Sequence, residues 1–236
     1  ELLVMSELKH PNVVTFLGAS MIPRKMFFVM ELCEISLFEI IHGTKKNLTS
    51  FEKLQYASDI AHGLAYLHGK AITHRDIKSN NILQASNGIL KICDFGLVRT
   101  RNTTAGTPAY MAPELLQDRP FSHKVDIYAF GILLAELFSG IIPFREYDYQ
   151  DIQSCVTKGE RPQMPRYDTP ESIKCLITQC WATKPCDRPE FSPQIKQCLD
   201  TALRSTSTTT KHSFCDQLDA KQGGGGDILD SLLGGF

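Results

Sequence analysis

The chain has 236 residues, of which 42% are hydrophobic and 22% are charged, and its formal net charge is -1. These values are ordinary for a folded globular chain of one large domain or two small ones. The small net charge provides no strong field for nucleic acid or for an anionic membrane. No apolar run is long enough to span a bilayer, and no signal-peptide or lipidation pattern is present, so we expect a cytoplasmic protein.

The first 33 residues predict the end of a helix followed by two strands. Residues 1–8 have apolar side chains at helical spacing, and the segment 10–12, with its proline, stops that helix. β-branched and aromatic residues predict strands over 13–17 and 26–30. The second strand is apolar throughout, which predicts that it is buried.

The periodicity then changes from strand to helix. A helix is predicted over about 51–69, because apolar residues recur on one face, and Ser50 can cap it. The pair Asn87-Gly88 lies between two short apolar segments, 82–84 and 90–93. An Asn-Gly pair in that setting predicts a β-hairpin.

A second long helix is predicted to run to about Ser139. Ser122 can cap it, Gly140 can end it, and it is apolar nearly all round. A helix of this kind should lie inside the domain. Further helices are expected near 149–158, 170–181 and 191–203.

From residue 204 the composition changes to that of a low-complexity tail. Ser and Thr fill positions 205–210, and four glycines occupy 223–226. Such stretches are typical of flexible linkers. The final segment, 227–233, is too short to be a stable helix alone, and it is either a frayed terminus or a docking motif for a partner.

Eight cysteines are present, and none of them forms a Cys-x-x-Cys pair. A zinc site is therefore not indicated. Their even number leaves disulfides open, but the length and apolar core of the chain favour free thiols in a reducing compartment.

Two short motifs contain the residue types that phosphoryl transfer needs. A carboxylate such as Asp76 can orient an acceptor hydroxyl and take its proton, and the charge of Lys78 can neutralise a departing phosphate. Asn81 and Asp94 offer hard oxygen ligands that suit Mg²⁺. Each residue alone could equally cap a turn or lie solvated in a loop. The motifs are His74-Arg75-Asp76-Ile77-Lys78-Ser79-Asn80-Asn81 and Asp94-Phe95-Gly96.

The order and spacing of these motifs, followed by Ala112-Pro113-Glu114, resemble the signature of protein kinases. The residues of 106–114, of 180–181 and of 188–191 are similar to those of the tyrosine-kinase-like group of serine/threonine kinases. The resemblance extends from residue 1 to about 203.

The resemblance implies an α+β, protein-kinase-like two-lobed fold. Residues 1–33 would form a partial N-lobe with a helix end, two strands and a hinge. Residues 34–203 would form a mostly helical C-lobe, and 204–236 a flexible tail. The implied activity is ATP-dependent phosphorylation of Ser or Thr hydroxyls on signalling substrates, with Mg²⁺ or Mn²⁺ as cofactor.

The resemblance also implies a role for each motif residue. Asp76 would be the catalytic base, Lys78 would neutralise the γ-phosphate, and Thr107 would hydrogen-bond to both of them. Asn81 and Asp94 would hold the metal ion. Lysine at position 78 is typical of the family members that act on Ser or Thr rather than on Tyr.

ATP would be bound by residues on both sides of the hinge. Met30 would guard the inner pocket and Leu83 would form its floor. Backbone groups of 31–33 should be free to bond the purine, since a linker has no strand partner. Cys93 is either a small hydrophobic residue beside this site or a reactive thiol. The implied ATP contacts are Glu1, Met30, Glu31, Cys33, Lys78, Leu83, Cys93 and Asp94.

Regulation by phosphate is a further implication. Arg75 can bind a phosphate through two hydrogen bonds. Thr103 and Thr104 lie in the segment where the family is phosphorylated, and a phosphate on either would order that segment through Arg75.

The resemblance also implies structural roles for several residues. Asp126 would hold the backbone near His74 and Arg75, and Glu114 would pair with Arg188. The resemblance also implies an apolar column between the lobes, which would consist of Met5, Phe16, His74 and Phe95. Ordinary core packing would explain these residues equally well.

Two N-terminal motifs of the protein-kinase family are absent from this sequence. Neither Gly-x-Gly-x-x-Gly nor Val-Ala-Ile-Lys occurs before residues 74–81, the implied catalytic loop. Glu1 falls where the family has its helix glutamate, so we expect the partner lysine and three strands to precede residue 1. We therefore expect an apolar sheet face open to water, poor ATP binding, slow or no turnover and aggregation.

Two other functions stay open. A non-catalytic kinase-like scaffold is favoured by the missing lysine and glycine loop, but the intact acids at 76 and 94 disfavour it. A small-molecule kinase of similar fold is disfavoured by the complete segment 106–114, which builds a peptide platform.

Overall fold

The computed structural model describes residues 6–22, 25–44, 47–94, 106–165 and 169–206. These residues form five strands and six longer α-helices, and residues 6–7, within the helix predicted over 1–8, and 37–38 are also helical. The strands are β1 (Phe16–Ile22), β2 (Lys25–Met30), β3 (Ile35–Ser36), β4 (Ile82–Gln84) and β5 (Leu90–Ile92). The helices are α1 (Ser50–Gly69), α2 (Pro113–Leu116), α3 (Lys124–Ser139), α4 (Tyr149–Thr157), α5 (Glu171–Cys180) and α6 (196–206).

The strands form two separate antiparallel sheets. β1 pairs with β2, and β3, β4 and β5 pair in that order. The predicted hairpin at Asn87-Gly88 is confirmed, because it joins β4 to β5. Gly88 has a φ of 83°, and Asn87 Oδ1 accepts the amide of Ile89 at 3.1 Å.

The first strand begins three residues later than predicted. Val13 and Val14 lie next to β5 instead, where Val13 forms a parallel bridge with Ile92 and the Val14 amide donates to the Ile92 carbonyl at 2.9 Å. Both valines are buried. Their apolar character therefore reflects packing against the second sheet, and β1 starts at Phe16.

The prediction that β2 is buried is wrong. Phe27 and Phe28 are 56% and 58% exposed, and Leu17 on β1 is 63% exposed. Among the described residues the β1–β2 sheet has no third strand and no covering helix. An apolar strand is buried only where another element covers it, so the expectation of an open apolar face is the one that is confirmed.

The long apolar helix lies inside the domain, as predicted. Fourteen of the sixteen residues of α3 are buried. The helix ends at Gly140, whose φ of 69° is left-handed. It begins at Lys124 after the N-cap His123, whereas Ser122 was the predicted cap. The Ser122 hydroxyl still accepts the Lys124 amide at 3.3 Å.

The remaining helices are close to their predicted positions. α4 and α5 agree with the sequence pattern, while α6 begins at 196 and extends to 206. A π-helical turn, Phe191–Ile195, occupies the predicted start of the last helix. In the part of the chain that the structure describes, the cysteines are free thiols, and no helix there is both long and apolar enough to cross a membrane.

The cap of α1 differs from the prediction by one residue. Thr49, not Ser50, is the N-cap, and it forms a capping box with Glu52. The Thr49 hydroxyl accepts the Glu52 amide at 3.2 Å, and the Glu52 carboxylate accepts the Thr49 amide at 2.9 Å. Two otherwise unpaired amides are satisfied in this way.

The capping box makes a stability prediction. Thr49→Ala should lower the free energy of unfolding by about 1 kcal/mol, because the Glu52 amide loses its acceptor. Urea titration followed by circular dichroism measures the change. Thr49→Ser keeps the hydroxyl and serves as the control. A larger loss for Ser50→Ala than for Thr49→Ala would contradict this assignment.

Candidate active site

The loop between α1 and β4 is anchored to α3 by one carboxylate. Asp126 accepts the backbone amides of His74 and Arg75, each at 2.8 Å. It also lies 2.9 Å from Nε2 of His68. Burial alone would raise the pKa of Asp126, but the hydrogen bond and charge of His68 and the Arg75 amide lower it below its ordinary value. The contacts that the resemblance implies between Asp126 and the backbone of this loop are therefore present.

Arg75 has an unusual backbone in this anchored turn. Its φ is 70°, a left-handed value that residues with side chains seldom adopt. The hydrogen bond from its backbone amide to the Asp126 carboxylate holds it there. The guanidinium lies 5.6 Å from the centre of the Phe121 ring. Burial lowers the pKa of Arg75, and the negative charge of Asp126 opposes that shift.

Asp76 is the centre of a hydrogen-bonded cluster. Its Oδ1 accepts the Thr107 amide at 3.0 Å and faces the Thr107 hydroxyl at 3.3 Å. Its Oδ2 accepts the side-chain amide of Asn81 at 2.9 Å and lies 2.8 Å from Lys78 Nζ. Lys78 Nζ also donates to Thr107 Oγ1 at 2.7 Å. The contacts that the resemblance implies for Thr107 are therefore present.

Asn81 and Asp94 are brought close by a backbone contact. The amide of Cys93 donates to the Asn81 carbonyl at 3.0 Å, so the next residue, Asp94, lies beside the end of the catalytic loop. Asp94 has a left-handed φ of 61° and an exposed side chain. The nitrogen of the Asn81 amide faces Asp76, so its oxygen is the end that can face a cation.

This pair of oxygen donors fits a hard divalent ion. No cluster of three or more His, Cys, Asp or Glu that could hold a metal occurs in the described ranges. Mg²⁺ does not need one, because it keeps several waters and is bound by one or two protein oxygens together with substrate phosphates.

The hinge differs from the prediction at one backbone group. The amide of Glu31 donates to the Thr15 carbonyl at 2.9 Å, so it is not free for a purine. This bond extends the β1–β2 pairing by one step beyond Met30. Within the described residues, the Glu31 carbonyl and the Cys33 amide have no hydrogen-bond partner. These two groups remain available to a nucleotide.

The Glu31 side chain is tied to the second sheet. Its carboxylate lies 2.8 Å from Lys91 Nζ on β5 and accepts the Thr15 amide at 3.1 Å. Burial alone would raise the pKa of Glu31, but these two hydrogen bonds lower it below its ordinary value. Met30 is 42% exposed and Leu83 is half-buried on β4, so the guard and floor of a pocket stay predictions.

Cys93 lies between the two motif loops. Its carbonyl is 2.9 Å from Nε2 of the fully buried His74, and its thiol faces the Asn81 carbonyl at 3.4 Å. Burial, and then the negative charge of Asp94, raise the pKa of Cys93 to about 12. The thiol is therefore protonated at neutral pH, which agrees with an unreactive residue.

The predicted pair in the larger lobe is present. Arg188 donates to the two carboxylate oxygens of Glu114 at 2.6 and 2.9 Å, and it is 2% exposed. Its guanidinium lies 5.1 Å from the centre of the Tyr128 ring. A two-pronged, buried pair of this kind holds the end of segment 106–114 against the helical core.

Five of the predicted residues fall outside the described ranges, namely Glu1, Met5, Phe95, Thr103 and Thr104. Two of these, Met5 and Phe95, belong to the predicted apolar column. The other two members of the column are described, Phe16 as half-buried and His74 as buried, so the stack itself stays a prediction.

No motif in the sequence predicts a second buried cluster that lies beside the site. Glu136 on α3 is 1% exposed and contacts Tyr110, Ser79 and His42. One signal could have found it. Beyond Asp126 in its first turn, this apolar helix has one further acid, Glu136, and a buried acid must meet donors.

The assembled groups define a class of site. A carboxylate and an ammonium on the loop between α1 and β4 meet the hydroxyl of Thr107 from segment 106–114. Two oxygen ligands, Asn81 and Asp94, lie at the end of that loop. Phosphoryl transfer of the protein-kinase type uses these groups to aim a hydroxyl and to neutralise phosphate charge.

Residues 1–199 match the family model for protein tyrosine and serine/threonine kinases. The chain belongs to this family. The predicted resemblance to the kinase fold and to the tyrosine-kinase-like group is thereby confirmed.

Curated relatives agree with this family. The chain is 40% identical over 197 residues to RGS domain-containing serine/threonine-protein kinase A of Dictyostelium discoideum, covering 81% of this chain and 17% of the relative. It is 38% identical to Dual specificity protein kinase shkD of the same organism, covering 81% and 27%. It is 35% identical to Mitogen-activated protein kinase kinase kinase 12 of Rattus norvegicus, covering 89% and 24%. The chain spans less than a third of each of these relatives.

The raised pKa of Cys93 predicts slow alkylation. With a pKa of about 12, its thiolate at pH 8 should be roughly 10³-fold scarcer than that of an ordinary thiol with a pKa of about 8.5. Iodoacetamide labelling followed by peptide mass spectrometry should therefore modify the exposed Cys175 and Cys186 first. The Cys93 rate should rise with pH until its pKa is passed.

The control for this labelling is the chain unfolded in urea, in which all the thiols should react alike. Alkylation of Cys93 in the folded chain as fast as that of Cys175 would contradict the assigned protonation.

Proposed function

We propose that this chain transfers the γ-phosphoryl group of ATP to a serine or threonine hydroxyl of a protein substrate. The observation that carries the proposal is the cluster around Asp76. There a carboxylate, an ammonium and a hydroxyl lie within 2.7–3.3 Å of one another. In-line transfer needs groups of these three kinds beside the acceptor oxygen.

Asp76 acts as the general base in this proposal. Both of its oxygens are held by donors from Thr107, Asn81 and Lys78, so the carboxylate is fixed before substrate arrives. Its longest contact is the 3.3 Å approach of the Thr107 hydroxyl. An acceptor hydroxyl can replace that contact at the smallest cost and then pass its proton to the carboxylate.

Lys78 supplies positive charge where the transferred phosphoryl group becomes more negative. It is held between Asp76 and Thr107, and its side chain is 21% exposed, so a phosphate can still approach it. A fixed cation stabilises developing charge without the cost of reorienting water.

Asn81 and Asp94 are the residues that would hold Mg²⁺ or Mn²⁺. The bound ion would neutralise phosphate charge and leave the protein groups to orient the acceptor. The Glu31 carbonyl and the Cys33 amide would serve as acceptor and donor for the purine edge of ATP.

A Ser or Thr acceptor is supported by Lys78 and by the names of the relatives. Two of the relatives reported above are named as a serine/threonine-protein kinase and as a dual specificity protein kinase. Segment 106–114, anchored by Glu114, supports a peptide as the substrate rather than a small molecule.

The localisation of the protein and its binding partners are also proposals. We propose a cytoplasmic signalling role, for which the weak net charge of the sequence is the support. Residues 227–233 would dock a partner protein, because they combine acids with apolar side chains behind a glycine spacer. Neither proposal involves nucleic acid or a membrane span.

Phosphate transfer is the decisive test of the activity. Incorporation of ³²P from labelled ATP into a general protein substrate should fall by about 10²-fold or more in Asp76→Asn and in Asp94→Ala. Phosphoamino acid analysis should show phosphoserine and phosphothreonine. The assay should use the 236-residue chain and a form extended at its N terminus by the glycine-loop segment that this sequence lacks.

The matched control is Asp200→Asn, which changes an exposed carboxylate on α6. Transfer that persists in Asp94→Ala would overturn the proposal. No transfer at either length would favour the scaffold function instead.

Regulation through Arg75 has its own test. A phosphate on Thr103 or Thr104 should order that segment through charge-assisted hydrogen bonds and raise activity. Mass spectrometry of active protein should find that phosphate, and alanine at both positions should lower transfer. Active protein without phosphate there, and full activity of the double alanine variant, would show the idea to be wrong.

A further inference from the structure

Two cysteines of neighbouring helices lie close together outside the candidate active site. Cys175 on α5 is exposed, whereas Cys198 on α6 is half-buried. The Cys198 thiol faces the carbonyl of Ser172, in the first turn of α5, at 3.8 Å. The sulfur of Cys198 therefore rests against the start of α5.

The geometry of α5 brings the side chain of Cys175 to the same place. Cys175 follows Ser172 by three residues, so the two side chains lie on one face of the helix. Helical side chains lean toward the N terminus and cover the turn before their own Cα. The side chain of Cys175 thus covers the turn against which the Cys198 sulfur rests. Because Cys175 is exposed, its side chain can rotate toward Cys198 without displacing core residues.

The position of Cys198 is fixed by the packing of its helix. Leu199 and Ala202 of α6 are buried, at 0% and 5% exposure. Burial, and then the negative charge of Cys175, raise the pKa of Cys198, which agrees with two thiols that lie near each other. Cys198 therefore keeps its proton at neutral pH, and the exposed Cys175 is the thiol that an oxidant in the solvent reaches.

The third cysteine of this region is a core residue. Cys180 is 0% exposed, and a Cβ placed on Gly131 of α3 would lie 2.8 Å from the Cys180 Cβ. Burial raises the pKa of Cys180 as well. It also lies about 12 Å further along α5 than Ser172, at 1.5 Å per residue. The pair of thiols that can react is therefore Cys175 and Cys198.

We infer that Cys175 and Cys198 form a peroxide-sensitive dithiol whose disulfide fastens α6 to α5. The inference goes beyond the proposed transferase function and does not depend on it. α6 is the last helix that the structure describes, and residues 207–236 follow it in the chain. Oxidation would thus fix the helix to which those residues are joined.

The reaction takes two steps and uses hydrogen peroxide as the oxidant. In the first step the Cys175 sulfur takes one oxygen atom from the peroxide as the O–O bond breaks, which gives a sulfenic acid and one water molecule. In the second step the Cys198 sulfur attacks the Cys175 sulfur, the S–O bond breaks, and the hydroxide leaves as water with the Cys198 proton. Two thiols and one peroxide thus give one disulfide and two water molecules.

The direct test maps the disulfide after brief treatment of the 236-residue chain with hydrogen peroxide. Free thiols are then alkylated in urea, and the chain is digested without reduction by chymotrypsin, which isolates Cys175 by cutting after Leu176 and Trp181. Mass spectrometry should find the Cys175 and Cys198 peptides joined, lighter by two hydrogen atoms than the separate thiol peptides. Dithiothreitol should remove this product, and Cys175→Ser and Cys198→Ser should each abolish it.

The matched control is Cys186→Ser. Cys186 is also exposed, and its thiol faces the carboxylate of Asp187 at 3.5 Å. This change should leave the yield of the linked peptides within about twofold. Disulfides that join Cys186 as often as Cys198 to Cys175 would overturn the inference, and so would oxidation of both thiols without any linked peptide.

The order of the two steps has its own test. In Cys198→Ser the sulfenic acid has no thiol to meet, so dimedone, which traps sulfenic acids, should label Cys175 at least about fivefold more than in the unaltered chain. In Cys175→Ser the labelling of Cys198 should stay low, because that thiol is half-buried and protonated. Equal labelling of Cys175 in the unaltered chain and in Cys198→Ser would show that Cys198 does not react with it.

A last measurement follows the helix itself. Backbone amide exchange in 196–206 should slow at least about fivefold when the unaltered chain is oxidised, but not when Cys175→Ser is treated in the same way. Exchange that oxidation leaves unchanged would show that the disulfide does not fasten α6. These experiments do not measure phosphate transfer, so failure of the proposed function and failure of this inference are distinguishable.

Discussion

The catalytic loop depends on a carboxylate that projects from α3, the most deeply buried of the helices that the structure describes. Asp126 accepts two backbone amides from the loop and faces His68. A buried charge is tolerated only where donors replace the water that it has lost. The left-handed backbone of Arg75 is held by these same bonds, so the position of Asp76 follows from that of Asp126.

The same helix carries a second buried carboxylate ten residues further on. Glu136 lies about 15 Å along the axis from Asp126, at 1.5 Å per residue. One acid holds the start of the catalytic loop, and the other holds its end together with the Tyr110 turn. The apolar residues between them fix α3 in the core, so the distance between the two attachment points is set by a rigid element.

Much of the fold and of the site followed from local pattern, and the errors have physical causes. The helices, the hairpin and the residues around Asp76 were predicted because residue type and spacing are local properties. The N-cap was placed at Ser50 although Thr49 and Glu52 have the spacing of a capping box. β2 was predicted to be buried because its composition was apolar, but burial depends on which element covers it. The Glu31 amide was predicted to be free because the extra pairing with Thr15 has no local signal.

By itself, the sequence determined the chemical groups of the site, their order along the chain and the apolar face of each helix. These depend on residues a few positions apart. The contact of Thr107 with Asp76 is implied by the family resemblance, but its geometry comes from the tertiary structure. Only the tertiary structure decided that Glu136 joins Ser79, Tyr110 and His42. These pairs are separated by 26 to 94 residues. Contacts of that range depend on how whole helices and sheets pack, and no short pattern in the chain specifies that packing.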